Sequence, residues 1–288
     1  MSARARIIVG VGILILLGAA GARAQEVAFA VVNGLAPGAE LNRLNLETGE
    51  LTPVGGIGVP VTQIAFDAAG SLYGVNPDDD ELIAIDITTG SAVSIGALGV
   101  PIVETFGLAV DADGGLWMTA REDTGATSLF AVDGTTGAAT WRAAVDEALF
   151  GALAAHDGVL VMASYVLSEV DPVTGAVTPV PGSDLGIWWT RALDFDDEGN
   201  LWGLMLCGPC AAPYDVLRVL PVDPATGVLI GDGVAEPPGT WGLAILPGGV
   251  FLDGFETGNL ASWSTNQLDA SQGPLLYRDP SRTITLSD

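Results

Sequence analysis

The chain has 288 residues, of which 39 are glycine and only 16% are charged, yet 49% are hydrophobic. That balance excludes a largely disordered chain and leaves ample apolar surface for a core. A net charge of −25, with all ten basic residues arginine, argues against nucleic acid or an anionic membrane as partner. The acids are concentrated in turn-like segments, where solvated loops account for them.

Residues 1–24 read as an export signal. Arg4 and Arg6 precede an apolar stretch from Ile7 to Ala20, and Ala22-Arg23-Ala24 supplies an A-x-A cleavage site. The apolar run is short for a membrane span, and no cysteine follows the cleavage site to carry a lipid. The chain is therefore expected to be exported to the periplasm, cell surface or medium. No membrane span is expected after cleavage, and the protein is expected to be a monomer. Removing three arginines and no acids takes the charge from −25 to −28.

From residue 25 to 254 two repeats interleave. The first is an Asp or Asn, two variable residues, then Thr-Gly, ending at Gly49, Gly90, Gly137, Gly175 and Gly227. An Asp carboxylate accepts from backbone N–H groups just ahead of it, and the glycine supplies the positive φ of a bulged hairpin. Alternating apolar runs flank each copy, such as Leu82 to Asp86 and Ser91 to Ile95, so each reads as a β-hairpin. The second repeat is an apolar run, an acidic turn ending in Gly, and an aromatic three residues on. Ile64 to Gly70 leads to Tyr73, Leu108 to Gly114 to Trp117, and Leu193 to Gly199 to Trp202; Ala152 to Gly158 leads instead to Val161.

Lettering the strands A (before the acidic turn), B (the aromatic run), C and D (either side of Thr-Gly) gives four complete units, about 61–98, 104–145, 148–183 and 187–235. The Thr-Gly copies recur 41, 47, 38 and 52 residues apart, the period of four-stranded propeller blades. The chain enters this series with B, C and D strands alone, Glu26 to Ile57, and leaves it with an A strand alone, Trp241 to Leu246. Pairing the fragments closes a ring and removes its exposed edges. The expected architecture is an all-β, five-bladed β-propeller, with six blades as the fallback.

Small residues Ala65, Gly107, Gly151 and Gly242 are expected at equivalent points of the A strands, where the strands crowd the axis. Phe106, Phe150 and Trp241 precede three of them, as inter-blade packing or a ligand platform at the tunnel mouth. Blade four departs from the others with Arg191 and Asp194, the only charged pair in an A strand. The candidate ligand-binding residues are thus Phe106, Phe150, Arg191 and Trp241.

The blades resemble those of exported bacterial β-propellers carrying Gly-Leu-Ala-x-Asp, Leu-Tyr-Gly and Ile-Asp-x-x-Thr-Gly, a class without an assigned function. Phe251-Leu-Asp-Gly-Phe-Glu-Thr-Gly-Asn-Leu-Ala-Ser-Trp-Ser264 is similar to a signature near the C-termini of many exported bacterial proteins. The segment 255–288 is expected to hold that signature and a polar tail with poor order. Neither resemblance implies a reaction.

Other motifs invite chemistry less well. Cys207-Gly-Pro-Cys210 has thioredoxin-like letters, but strand and turn flank it rather than βαβ; a loop disulfide between Cys207 and Cys210 is expected. Asp78 to Glu81, Asp111 to Asp113 and Asp194 to Glu198 are acidic enough for calcium, but none matches the twelve-residue calcium loop. His156, the one histidine, is expected in the A–B turn of blade three, away from the axis, and no nucleophile elbow accompanies it. No cofactor is expected.

The leading expectation is a non-catalytic binding scaffold for a protein, glycan or small ligand at the tunnel mouth. The alternative is a metal-dependent lactonase-like hydrolase resembling gluconolactonase and regucalcin propellers. Gln63 and Asp194 are then the candidate metal ligands on the axis, with calcium as the metal.

Overall fold

A computed structural model describes residues 27–34, 38–145, 151–185, 188–207, 216–231, 233–236 and 240–247. Residues 1–24, expected to be an export signal, and the segment 255–288 lie outside the described residues, as do Phe150 and Cys210.

In chain order the strands are β1 (Ala28–Val32), β2 (Glu40–Leu44) and β3 (Leu51–Gly56). Blade one follows with β4 (Ile64–Phe66), β5 (Leu72–Asn76), β6 (Glu81–Ile85) and β7 (Ala92–Ala97). Blade two is β8 (Ile102–Val110), β9 (Leu116–Glu122), β10 (Thr127–Val132) and β11 (Ala139–Val145). Blade three is β12 (Ala152–His156), β13 (Val159–Ala163), β14 (Leu167–Val170) and β15 (Val177–Pro179). Blade four is β16 (Trp188–Phe195), β17 (Leu201–Cys207), β18 (Val216–Val222) and β19 (Val234–Glu236), and β20 (Thr240–Ile245) ends the series.

Each blade is a four-stranded antiparallel meander, and the fifth sheet has the order β20-β1-β2-β3. The last strand thus pairs with the first, Phe29 opposite Ala244, and Leu246 N–H donates to the Val27 carbonyl at 2.8 Å. The inner strands touch in a closed cycle, β4 to β8 to β12 to β16 to β20 and back to β4. This is a five-bladed β-propeller closed by a composite blade, and among the described residues there is no helix.

The core explains why the strands read as near-continuous apolar runs. It is divided into five layers, one between each pair of neighbouring blades. Successive residues of a strand point to opposite faces. In β1, Phe29 and Val31 pack toward blade one while Ala28 and Ala30 pack toward blade four. Both faces of a blade are therefore apolar, unlike a sheet with one face in water.

The two turn repeats hold the blades in different ways. In the Thr-Gly turns the leading side chain caps the backbone: Asp133 Oδ1 accepts from Thr135 N–H at 2.8 Å and Thr135 Oγ1 at 2.6 Å. Asn45, Asp86, Asp171 and Asp223 make the equivalent backbone bonds, and each closing glycine has positive φ, +80° at Gly90 for example. These bonds hold the carboxyls of Asp86, Asp133, Asp171 and Asp223 below their ordinary value; Thr88, Thr135, Thr174 and Thr226 side chains are the largest causes in turn. In the acidic turns the aspartate also latches the aromatic of strand B. Asp111 Oδ2 accepts from Trp117 Nε1 at 2.7 Å, Asp196 Oδ2 from Trp202 Nε1 at 3.0 Å, and Asp67 Oδ2 from the Tyr73 hydroxyl at 3.3 Å. Blade three, with Val161 at that position, turns instead through Asp157 and Gly158, both with positive φ.

A meander places its A–B and C–D turns at one end and its B–C and D–A connections at the other. The capping and latching aspartates therefore share one end of the ring, here the turn end. The opposite end is the mouth.

Candidate functional site

The inner strands are interrupted at a common level. Pairing along β8 and β9 runs regularly from Val110 opposite Leu116 to Gly107 opposite Thr119, then skips Phe106 before Thr105 meets Ala120. In β16 the skipped residue is Arg191, between Ala192 opposite Leu204 and Thr190 opposite Met205. In β20 the irregularity takes in Trp241 and Gly242, which share Val31 as the intervening partner. In blade one, Thr62 N–H donates to the Val75 carbonyl while Val75 N–H donates to the Gln63 carbonyl, so both residues again face one partner. A β-bulge sets one extra residue out of the ladder and re-aims its side chain. Four blades thus contribute Thr62, Phe106, Arg191 and Trp241 at one level, on the mouth side of the ring.

The register corrects two expectations. Ala65 pairs with Tyr73 as Ala109 pairs with Trp117 and Asp194 with Trp202. Two residues before these lie Gln63, Gly107 and Ala192, so blade one's counterpart of Gly107 is Gln63 rather than Ala65. In blade three Ala154 pairs with Val161, so the counterpart of Gly107 there is Ala152, and Gly151 falls at the level of Phe106. The glycines serve close approach between inner strands. A Cβ at Gly107 would stand 2.4 Å from the Leu153 nitrogen, and one at Gly242 would stand 2.9 Å from Ile64 Cγ1.

Two collar residues, Arg191 and Trp241, are tied together and to Gln63. The Arg191 guanidinium lies over the Trp241 ring, 4.1 Å from its centroid. Gln63, buried, reaches past the composite blade and donates from Nε2 to the Arg191 carbonyl at 3.2 Å. Gly34 backs the indole, since a Cβ there would stand 3.0 Å from Trp241 Cγ. On the blade-two side Arg121 lies 5.9 Å from the Phe106 centroid and forms an ion pair with Glu104 at 2.7 Å. Phe106 is itself buried.

Asp194 lies deeper, toward the turn end. Its Oδ2 accepts from Ile245 N–H at 2.7 Å and its Oδ1 from Phe195 N–H at 2.9 Å, joining blade four to the closing strand. Burial, partly offset by those two bonds, pushes its carboxyl up to about 7. Gln63 and Asp194 therefore stand at different levels, each engaged with backbone. Among the described residues no group of three or more His, Cys, Asp or Glu is placed to hold a metal ion. The acidic turns use their oxygens internally: Asp196 alone accepts from Glu198 and Asn200 N–H, Asn200 Nδ2 and Trp202 Nε1.

His156 ends β12 rather than sitting in the turn. Its ring stacks on Phe195 of blade four, centroids 5.0 Å apart, with Nε2 3.5 Å from Asp157 Oδ2. Cys207 ends β17, and the pairing expected with Cys210 falls on residues outside those described.

The fold and this collar place the chain among five-bladed β-propellers. No family model matches it, and no curated protein does either. Among solved structures it is similar to a chain in the crystal structure of a nidogen/laminin complex, at 13% identity over 77% of this chain and 98% of that one, with a TM-score of 0.50. A calcium-binding regucalcin from Agrobacterium tumefaciens is 18% identical over 77% of this chain and 78% of its own, TM-score 0.48. A gluconolactonase from Xanthomonas campestris is 16% identical over 75% and 78%, TM-score 0.48. At such identities the likeness concerns the fold alone.

Proposed function

We propose that this is an exported, monomeric, non-catalytic propeller that binds a partner at the mouth of its ring, on the collar formed by Thr62, Phe106, Arg191 and Trp241. The observation that carries the reading is the common level of the bulges. Bulges cost ladder hydrogen bonds and concentrate where a side chain must be re-aimed. Here they bring together a cation, two aromatics and a hydroxyl from four blades. Gln63 and Gly34 then fix Arg191 and Trp241, which is the preorganisation a binding site needs. The Cys207–Cys210 disulfide, on a mouth-end connection, belongs to the same proposal.

The lactonase-like alternative would place calcium between Gln63 and Asp194. No specific observation favours it, and both Asp194 oxygens already accept backbone N–H groups.

The test is a thermal-shift screen of small soluble ligands, with and without calcium, on wild type and on Arg191→Ala and Trp241→Ala variants. Ligands that bind at the collar raise the wild-type midpoint and lose that effect in both variants. Shifts that survive in both variants would place binding elsewhere, and calcium-dependent lactone hydrolysis lost in Asp194→Ala would replace the reading with the alternative.

A further inference from the structure

Asparagine followed by glycine is prone to spontaneous loss of its side-chain amide, because glycine has no Cβ to hinder attack by its own backbone nitrogen. Only one asparagine in the chain, Asn33, precedes a glycine.

The structure singles out the same residue. Asn42 Nδ2 donates to the Glu40 carbonyl at 3.3 Å, and Asn45 Oδ1 accepts from Glu47 and Thr48 N–H. Asn76 Oδ1 accepts from Asp78 N–H while its Nδ2 donates to Asp79, and Asn200 Nδ2 donates to Asp196 at 2.8 Å. Asn33 stands just past β1, in the mouth-end connection to β2. It is exposed, and among the described residues its side-chain amide makes no hydrogen bond. Its φ of +58° is left-handed, a state asparagine visits more readily than most residues. Gly34 N–H likewise has no acceptor among the described residues.

We propose that Asn33 is a modification site: it deamidates spontaneously, and the product unseats the Trp241 ring of the collar. The Gly34 backbone nitrogen, its proton lost to solvent base, attacks Asn33 Cγ. A bond forms between them, the Cγ–Nδ2 bond breaks, and Nδ2 leaves as ammonia. Water then opens the five-membered succinimide. Cleavage between the Gly34 nitrogen and Cγ leaves an aspartate. Cleavage between that nitrogen and the backbone carbonyl carbon of residue 33 leaves an isoaspartate, whose main chain runs through Cγ and is longer by one carbon. The net change is an amide and a water exchanged for a carboxylate and ammonium, with no oxidant or enzyme.

Gly34 carries the effect inward. It is buried, and its carbonyl accepts from Val61 N–H at 2.7 Å. A Cβ on it would stand 2.3 Å from the Val61 carbonyl oxygen and 3.0 Å from Trp241 Cγ. A main chain lengthened one residue earlier finds no slack there, so the displacement reaches the indole that Arg191 stacks on. This holds whatever the collar binds.

The protein, incubated at pH 8, is digested and mapped by mass spectrometry, with isoaspartyl methyltransferase labelling to count isoaspartate. Asn33 is expected to convert at least tenfold faster than Asn42, Asn45, Asn76 or Asn200. Aged wild type is expected to change its near-ultraviolet circular dichroism, a change absent from Asn33→Ser, which has no amide to lose, and from Trp241→Phe. Conversion of Asn33 no faster than the other asparagines, or fast only in urea, would overturn the site. Fast conversion with an unchanged aromatic spectrum in wild type would overturn its coupling to Trp241. The wild-type rates decide the first point even where a variant fails to fold.

Discussion

Where blade one, blade two and the composite blade carry Ala65, Ala109 and Ala244, blade four carries Asp194. Its folded carboxyl stands at about 7, above its ordinary value, so ionisation disfavours the folded state. That contribution to stability is complete at low pH and is lost as pH rises through about 7. Asp194→Asn is expected to melt closer to, or above, wild type at pH 8 than at pH 5; parallel pH profiles for the two proteins would contradict the assignment. The turn aspartates carry the opposite sign. Asp86, Asp133, Asp171 and Asp223 lie below their ordinary value, so their contribution is present above about pH 4 and is lost in acid. The composite blade already uses Asn45 in the same turn, which makes Asn the conservative replacement. Converting all four to Asn is expected to flatten the fall in melting temperature between pH 5 and pH 2.5, read by circular dichroism.

At the scale of the element, the Thr-Gly turn is also a docking point between blades. A Cβ on Gly96 of β7 would stand 2.3 Å from the Thr136 carbonyl oxygen of blade two's turn, and one on Gly55 of β3 would stand 2.0 Å from the Thr89 carbonyl of blade one's. Gly96→Ala is expected to cost about 1–3 kcal/mol in a denaturant melt, as overpacking against backbone does, without a change of fold. Gly107→Ala, on the inner strand facing Leu153, is expected to cost a similar amount. A loss under half a kilocalorie at either site would mean that the blades yield to a methyl. Why these elements recur could be read in advance: Asp, Thr and Gly each meet a local backbone demand, and the aromatic three residues after the acidic turn marks its indole latch. The bulges could not be read, because a bulge is a mismatch between two strands and leaves no periodic trace in either. The misplacing of Ala65 has another origin: the acidic-turn repeat, with Ile64 to Gly70 set against Leu108 to Gly114, already puts Gln63 opposite Gly107, and Ala65 matches Gly107 on its small size alone.

For the whole molecule, the ring was legible because its two end fragments sum to one blade. A strand-A fragment after four complete blades has no edge to join except the one left open by β1. The identity of the site was legible only in its parts. Arg191, Trp241 and Phe106 stood out as charge and aromatics next to small residues, but Thr62 gave no signal beside them, a threonine being ordinary in any strand. Nor did the sequence indicate that the stack joins blade four to the closing strand, a contact between residues 50 positions apart by their numbers, 191 and 241.

The central proposal is that the mouth of the ring works by binding, through protein groups alone. Melting the protein with excess calcium and with a chelator tests it most directly, because a metal held only by the folded state raises the midpoint by mass action. The account predicts coincident melts. A midpoint raised by calcium, and returned to the chelator value by Asp194→Ala, would contradict it and place a metal centre on the axis.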